Sequence, residues 1–166
     1  MSADRWVPVL LLVAVVALAW AGMALGWRRR RARQSHLPAP LAPPADLAAP
    51  LVSADGLYVG SVSAGEWLDR VVPHGLGARA AATVHVFWSG LVLERDGSRP
   101  LWVPTTDLAG VRRDTGLAGK VTETGGLVVW TWRLGPGLLE SGLRPRYAQD
   151  ATRLVEAITQ VRREVV

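Results

Sequence analysis

The longest hydrophobic stretch of the chain lies near its N-terminus. No charged residue occurs between Trp6 and Trp27, and the stretch ends at a cluster of arginines. A helix rises ~1.5 Å per residue, so residues 6–27 would span about 33 Å, enough for a hydrocarbon core of ~30 Å. The pattern predicts a transmembrane helix over 6–27 that follows a short extracytoplasmic N-terminus at 1–5.

Aromatic and basic side chains flank this predicted span. Tryptophan favours the lipid–water boundary, and arginine is retained on the cytoplasmic side. The membrane-interface anchors that we predict are Trp6, Trp27, Arg28, Arg29, Arg30, Arg31 and Arg33. On the other side of the span the only basic residue is Arg5, and Asp4 offsets its charge. We therefore expect a single-pass protein of the inner (plasma) membrane with its N-terminus outside and its C-terminal domain in the cytoplasm.

Two other interpretations of the hydrophobic stretch stay open. A cleaved signal peptide needs a shorter apolar core and a cleavage site of small residues. Ala17-Leu18-Ala19 has the required form but lies inside the apolar run, and the arginine cluster opposes translocation of the residues after it. A buried core helix fits poorly with the length and the absence of polar positions. The uncleaved anchor is the interpretation that we favour.

Residues 34–50, rich in proline and alanine, come directly after the arginine cluster. Proline favours extended backbone, so the segment predicts a semi-rigid linker of up to ~50 Å at about 3.1 Å per residue. The P-x-x-P spacing from Pro40 to Pro43 is also compatible with a docking ligand, although a spacer is favoured.

From Leu51 onward the pattern changes to short β-type segments separated by glycine and other turn residues. The strands that we predict cover 57–59, 83–88, 91–95, 101–103, 107–113, 119–124, 127–133 and 138–143. Gly125-Gly126 predicts a hairpin between 119–124 and 127–133. In the second of these strands Trp130 and Trp132 point to one face, which favours core packing, with a partner groove as the alternative.

An amphipathic helix is predicted from Ala148 to Arg163, where apolar residues recur at helical spacing. The fold class is therefore an N-terminal transmembrane helix plus a mainly β domain at 51–166. We expect about seven antiparallel strands in a small barrel, with the C-terminal helix as its cap.

The charge of the chain is concentrated beside the predicted anchor. The formal net charge is +5, and the arginines of 28–33 account for all of it. The nearly neutral remainder argues against nucleic-acid binding, whereas the cluster is suited to membrane lipids. Cysteine is absent and the three histidines show no ligand spacing, so we expect no metal and no cofactor.

Patterns that suggest catalysis or nucleotide binding are weak. Residues 75–80 have the form G-x-G-x-x-A, but β-type residues come next where a dinucleotide site needs a helix. Asp69 and His74, with Ser61 or Ser89, supply the residue types of a hydrolase triad without its sequence context. We predict no catalytic residues and no enzymatic activity.

Several side chains are candidates for an interaction surface. On a short helix or turn over 66–72, Trp67 could pack inward while Arg70 meets a carboxylate; a core anchor with a solvated ion pair is the plainer interpretation. Basic pairs elsewhere are suited to an acidic partner or to anionic lipid, although nearby acids favour a solvated mixed surface. The candidate surface comprises Trp67, Arg70, Arg112, Arg113, Arg144 and Arg146.

Short segments after the linker resemble a known family. They are Tyr58-Val59-Gly60-Ser61, Trp67-Leu68-Asp69-Arg70-Val71-Val72, His74-Gly75-Leu76-Gly77-Ala78-Arg79, Ala118-Gly119-Lys120-Val121, Thr131-Trp132 and Ser141-Gly142-Leu143-Arg144. Their order resembles the bacterial PH-like domains of actinobacterial single-pass membrane proteins. The resemblance implies a pleckstrin-homology fold, with seven strands in two near-orthogonal sheets and a capping helix. The chain departs from the family pattern at Glu140-Ser141-Gly142-Leu143-Arg144.

Together these patterns predict a non-enzymatic, membrane-anchored binding or scaffold module. Its PH-like domain would face the cytoplasm and bind a protein partner or another copy of itself, through an exposed strand edge. Anionic-lipid sensing is one alternative. An accessory subunit of a transporter or membrane enzyme is the other.

Overall fold

The computed structural model describes residues 6–33, 37–66, 69–117, 120–121 and 126–164. Two compact units make up the chain, residues 1–36 and residues 37–166. The predicted N-terminus at 1–5 and the candidate Trp67 lie outside the described residues.

Helix α1 forms the first unit and runs from Trp6 to Arg33. Its segment Pro8–Gly26 has the length and the composition of a membrane span, and none of that segment is buried within the protein. Pro8 stands in the first turn, where its missing N–H breaks no helical hydrogen bond. The side chains of the predicted interface anchors, Trp6, Trp27, Arg28, Arg29, Arg30, Arg31 and Arg33, lie outside the described part. Their interface role stays a prediction.

The second unit is built around an antiparallel sheet. Its strands are β1 (Val52–Ser63), β2 (Ala80–Phe87), β3 (Gly90–Arg95), β4 (Leu101–Pro104), β5 (Leu108–Asp114), β6 (Gly116–Leu117), β7 (Lys120–Val121), β8 (Leu127–Leu134) and β9 (Gly137–Pro145). Seven of them form one sheet in the order β4-β3-β2-β1-β9-β8-β5, and β6 pairs with β7. Helix α2 (Ala148–Arg163) closes the unit. The predicted fold class, an N-terminal apolar helix followed by a seven-stranded antiparallel sheet and a C-terminal helix, is confirmed.

The corner between β4 and β5 shows why the sheet curls. These strands stand at opposite ends of the hydrogen-bonded order, yet only the 3₁₀ turn Thr105–Asp107 joins them. A connection of that length reaches about 10 Å, so the two edges must approach each other there. No strand pairing links β4 to β5 among the described strands. The sheet is therefore a barrel that is open along one seam.

Strand alternation divides the residues of β8 between two apolar layers. Val128, Trp130 and Trp132 are buried in the main core, together with Leu154 and Ile158 of α2. The predicted core packing of Trp130 and Trp132 is confirmed. Because successive side chains of a strand point to opposite faces, Leu127 and Val129 of β8 point away from this core. Their apolar side chains are buried in a second cluster.

Leu117 of β6 covers this second cluster on the outer face of the sheet. It is buried among Val59, Val62, Leu127 and Val129. The prediction of a hairpin across Gly125-Gly126 was therefore wrong in its pairing, since the neighbours of β8 are β5 and β9 while β7 pairs with β6; residues 122–125 lie outside the described part. Burial of both faces of β8 explains why the preceding segment folds over the sheet instead of extending it.

Residues 37–50, here called the strap, pack on the barrel. Leu37 is buried in the main core, Trp102 donates its backbone N–H to the carbonyl oxygen of Leu41 at 2.8 Å, and Leu47 packs against a cluster that contains Phe87 and Trp102. The compact unit thus begins at Leu37, whereas composition predicted a spacer up to residue 50. Leucines among the prolines provide the apolar contacts that a free spacer would lack.

Candidate binding groove

A groove of about 990 Å³ opens at the mouth of the barrel, between strands β1 to β3, the end of β9 and the start of α2. We call it the mouth groove. Small residues line it, among them Gly56, Ala82 and Ala151. A Cβ atom at Gly56 would collide with the carbonyl oxygen of Arg144 and lie 2.9 Å from the Cα of Pro145. Glycine is therefore required for the close approach of β9 to β1 at this point.

The mouth groove carries charges of both signs. Its basic residues are Arg95, Arg113, Arg144 and Arg146, and its acidic residues are Asp55, Glu94 and Asp96. The Thr83 hydroxyl donates to Asp55 Oδ1 at 2.7 Å, and Glu94 Oε2 lies 3.9 Å from His85 Nε2. The arrangement suits a ligand that itself carries mixed charge.

Three members of the predicted interaction surface meet at this groove. Arg113, Arg144 and Arg146 come from β5, β9 and the turn before α2. Arg113 donates to the Thr152 hydroxyl at 3.4 Å, and the Arg146 guanidinium lies 5.8 Å from the ring centre of Tyr147. In the sequence they belong to two separate basic pairs, and the curled sheet brings them to one groove.

Two other members of that surface have different environments. Arg112 donates to both carboxylate oxygens of Glu140, at 2.7 and 3.1 Å, and to Asp114 at 3.0 Å. The hydrogen bond to Glu140 is the main cause of the raised pKa of Arg112. Arg70 donates to the carbonyl oxygen of Gly77 at 2.8 Å. Neither residue lines the mouth groove.

Arg95 is the groove residue that sequence reasoning missed. It is only 7% exposed, donates to the carbonyl oxygen of Gly75 at 2.8 Å and places its guanidinium 5.4 Å from the ring centre of Tyr58. Its Nε atom is buried and has no hydrogen-bond partner among the described residues. Leu91, Leu93 and Arg95 alternate along β3, so the phase of the strand would have predicted an inward arginine.

A buried hydrogen-bond network stands beside Arg95. The Tyr58 hydroxyl lies 2.6 Å from the Ser61 hydroxyl, which lies 2.5 Å from that of Ser141. Trp132 Nε1 donates to Ser141 at 2.9 Å. Burial raises the pKa of Tyr58, although hydrogen bonds from the network and the charge of Arg95 act in the opposite direction. The network joins β1, β8 and β9 inside the barrel.

The glycine-rich loop at 75–77 is held through its backbone carbonyl groups. Gly75, Leu76 and Gly77 accept hydrogen bonds from Arg95, Tyr58 and Arg70, respectively. The Leu76 side chain is fully buried in the main core. Strand β2, not a helix, comes after the loop, so the loop lacks the helix N-terminus that binds pyrophosphate in dinucleotide sites. It closes the barrel interior instead.

The residue types of the suggested triad serve different parts of the fold. Asp69 accepts a hydrogen bond from Ser63 at 2.8 Å, His74 Nε2 lies 3.1 Å from the carbonyl oxygen of Leu37, and Ser61 belongs to the buried network. The backbone carbonyl of Ser89 accepts from Thr105. Among the described residues, no group of three His, Asp or Glu side chains could hold a metal ion.

Both edge strands carry features that oppose the addition of another strand. Strand β4 ends at Pro104, and the strap bridges its residue Trp102. Strand β5 has a register shift after Leu108 and charged residues at its C-terminal end, and Arg162 donates to the Leu108 carbonyl oxygen at 3.2 Å. The mouth groove is the more accessible candidate for binding.

Comparisons with known proteins identify the family of the domain. A chain in the structure titled "The 8S snRNP Assembly Intermediate" is 12% identical, with a TM-score of 0.48 over 75% of this chain and 89% of that chain. No curated protein matches the sequence. The sequence model of the family described as Bacterial PH domain-like matches residues 35–159, which include the whole strap, the whole sheet and most of α2. This chain therefore belongs to the bacterial PH domain-like family.

Proposed function

We propose that this protein is a single-pass membrane protein that holds a PH-like binding module in the cytoplasm. Its mouth groove takes up a protein partner or another copy of the chain. The convergence of Arg113, Arg144 and Arg146 on one groove is the observation that carries the proposal. A PH-like domain suggests a binding or scaffold role, and the groove gives that role a location.

The membrane part of the proposal is supported by α1. Its apolar segment Pro8–Gly26 is long enough to cross a bilayer, and none of the segment is buried among the described residues. Arginines come after the segment at 28–33, which favours a cytoplasmic location for the rest of the chain. The family resemblance implies an actinobacterial origin, and the arginine-rich composition with a single lysine agrees with the GC-rich genome that such an origin entails.

A non-catalytic role is part of the same proposal. The hydroxyl and imidazole groups that could act as nucleophile and base hold the fold together, since Ser61 lies in the buried network and His74 contacts the strap. The charged residues of the mouth groove can bind a ligand without catalysing a reaction.

Photo-crosslinking in intact cells tests the groove. A photoreactive residue replaces Tyr147, which lies at the groove and is 57% exposed, and in a matched control it replaces Trp88, which is 46% exposed and does not line the groove. We expect a discrete crosslinked product from position 147 and none from position 88. Equal products from both positions, or none from 147, would contradict the proposal.

The same experiment separates the remaining alternatives. A product of twice the chain mass identifies self-association, and a product with a multi-span protein identifies an accessory subunit of a transporter or membrane enzyme. Crosslinks to lipid alone indicate anionic-lipid sensing. Protease protection in intact cells tests the topology, and digestion of the domain from outside would contradict the cytoplasmic orientation.

A further inference from the structure

We propose that the mouth groove recognises a carboxylate-bearing peptide segment of a protein partner, and that a carboxylate of this segment pairs with Arg95. The inference rests on the proposed function, because it names the ligand class of the same groove. It concerns a residue that is buried in the domain core and is not part of the predicted interaction surface.

The environment of Arg95 is unusual for a buried cation. Buried charges are normally paired with an opposite charge, because their desolvation is otherwise uncompensated. Among the described residues, the guanidinium makes one hydrogen bond, to the neutral carbonyl of Gly75, and one contact with the Tyr58 ring. Its Nε atom is buried without a partner. A carboxylate ligand would supply the missing countercharge to a side chain that is only 7% exposed.

Small neighbours leave room for such a ligand. Arg95 pairs with Ala82 across β2 and β3, and Ala82 pairs with Gly56 across β1 and β2. All three residues line the mouth groove, as does Ala151 of α2. Because the residues beside Arg95 have little or no side chain, they leave the groove open next to the guanidinium.

The charge pattern favours a peptide over a membrane surface or a nucleic acid. Asp55, Glu94 and Asp96 line the same groove as the arginines and would repel a uniformly anionic surface. A peptide can place a carboxylate near Arg95 and basic or polar groups near the acidic residues. The exposed Tyr147 at the groove adds an aromatic contact of the kind that is enriched in protein interfaces.

The test measures the preference of the full chain for carboxylate over amide. The chain, in uncharged detergent, binds to an array of acetylated and amidated heptapeptides in which each Glu peptide has a Gln counterpart. We expect the best Glu peptides to bind at least about tenfold more tightly than their Gln counterparts, the size of one charge-assisted hydrogen bond. Arg95→Gln should abolish this preference. Arg133→Gln should retain it, because Arg133 is exposed and does not line the groove.

A second variant separates recognition from folding, because Arg95 also donates to Gly75. Arg146→Gln removes a charge from the groove without affecting that hydrogen bond, and we expect a reduction of the Glu preference by at least about threefold. The near-UV circular dichroism spectrum of each variant verifies its fold. The proposal is overturned if the parent chain shows no Glu preference, or if the preference survives in a folded Arg95→Gln variant or is unchanged in Arg146→Gln.

Vesicles that contain phosphatidylglycerol provide the lipid arm of the experiment. Salt-sensitive vesicle binding that Arg95→Gln weakens, without any peptide preference, would assign the groove to lipid and overturn the proposal. Specific crosslinks from position 147 without a Glu preference would leave the binding module in place and refute the carboxylate ligand alone. The two proposals can therefore fail separately.

Discussion

The hydroxyl group of Tyr58 donates a hydrogen bond of 2.8 Å to the carbonyl oxygen of Leu76. Tyr58 lies in the middle of β1, and Leu76 lies in the glycine-rich loop that closes the barrel interior. The same hydroxyl lies 2.6 Å from Ser61, so one buried group links the loop to the hydrogen-bond network. The backbone N–H of Ser61 also bonds to Leu76, at 2.7 Å. Loop and barrel are thus fastened at several points.

Replacing Tyr58 by Phe tests this connection. The variant keeps the ring but removes the hydroxyl from a fully buried position, so we expect the free energy of unfolding to fall by about 1–3 kcal/mol. Urea unfolding followed by tryptophan fluorescence measures the change. Tyr147→Phe is the matched control, since Tyr147 is exposed, and its effect should lie within about 0.5 kcal/mol. Equal effects of the two substitutions would contradict the assigned role.

The stability of the domain should depend on pH through the same tyrosine. Burial raises the pKa of Tyr58 above its ordinary value of 10.0. The folded chain then holds this proton more tightly than the unfolded chain does, so its contribution is complete below pH 10.0 and is lost as the pH rises through the folded pKa. Urea unfolding at about pH 8 and about pH 11 measures this effect. Between these pH values the free energy of unfolding should fall more for the parent chain than for Tyr58→Phe. An equal loss in both chains would refute the prediction.

Gly142 makes room for Leu117 on the outer face of the sheet. A Cβ atom at Gly142 would lie 2.7 Å from Leu117 Cδ2 and 2.9 Å from Val59 Cγ2. We expect Gly142→Ala to lower the free energy of unfolding by about 1–3 kcal/mol through overpacking. Gly110→Ala is the control, because its Cβ would meet Thr131 at an ordinary 3.6 Å.

A double-mutant cycle tests whether Leu117 causes that cost. Leu117→Ala alone should lower the free energy of unfolding by about 2–5 kcal/mol. The double variant Gly142→Ala/Leu117→Ala should lose less than the sum of the single losses, because the shortened side chain removes the clash. Strict additivity, measured by urea unfolding, would show that the two positions do not interact as described.

The strap should be necessary for a stable domain. A fragment that begins at residue 34 keeps Leu37 in the core and Leu47 against Phe87 and Trp102, so we expect it to be soluble and folded. A fragment that begins at residue 51 loses both contacts and should unfold at lower urea concentration or aggregate. Within the longer fragment, Leu37→Ala should cost about 2–4 kcal/mol. The control Leu41→Ala, at a position that is 56% exposed, should cost less than about 1 kcal/mol. Equal stability of the two fragments would mean that the strap is a spacer.

Local patterns predicted most elements of this protein, although β1 covers 52–63 where the pattern predicted 57–59. Helix α2 has the bounds that its apolar spacing predicted, from Ala148 to Arg163. The uncharged stretch between Trp6 and Trp27 identified α1. Both signals are strong because helical and strand periodicities are properties of consecutive residues. The family resemblance placed the same strands in a PH-like fold, which the family match supports.

Tertiary structure decided which of these elements meet. Nothing local distinguishes the prolines and leucines of 37–50 from a spacer, because the contacts of Leu37 and Leu47 are with residues far along the chain. For the same reason the pairing of β8 with β5 and β9 could not be inferred from Gly125-Gly126. The sequence by itself determined the helices, the strand-rich domain and the placement of charge. Only the curling of the sheet, which is set by long-range pairing, brought Arg95 and Arg144 to one groove.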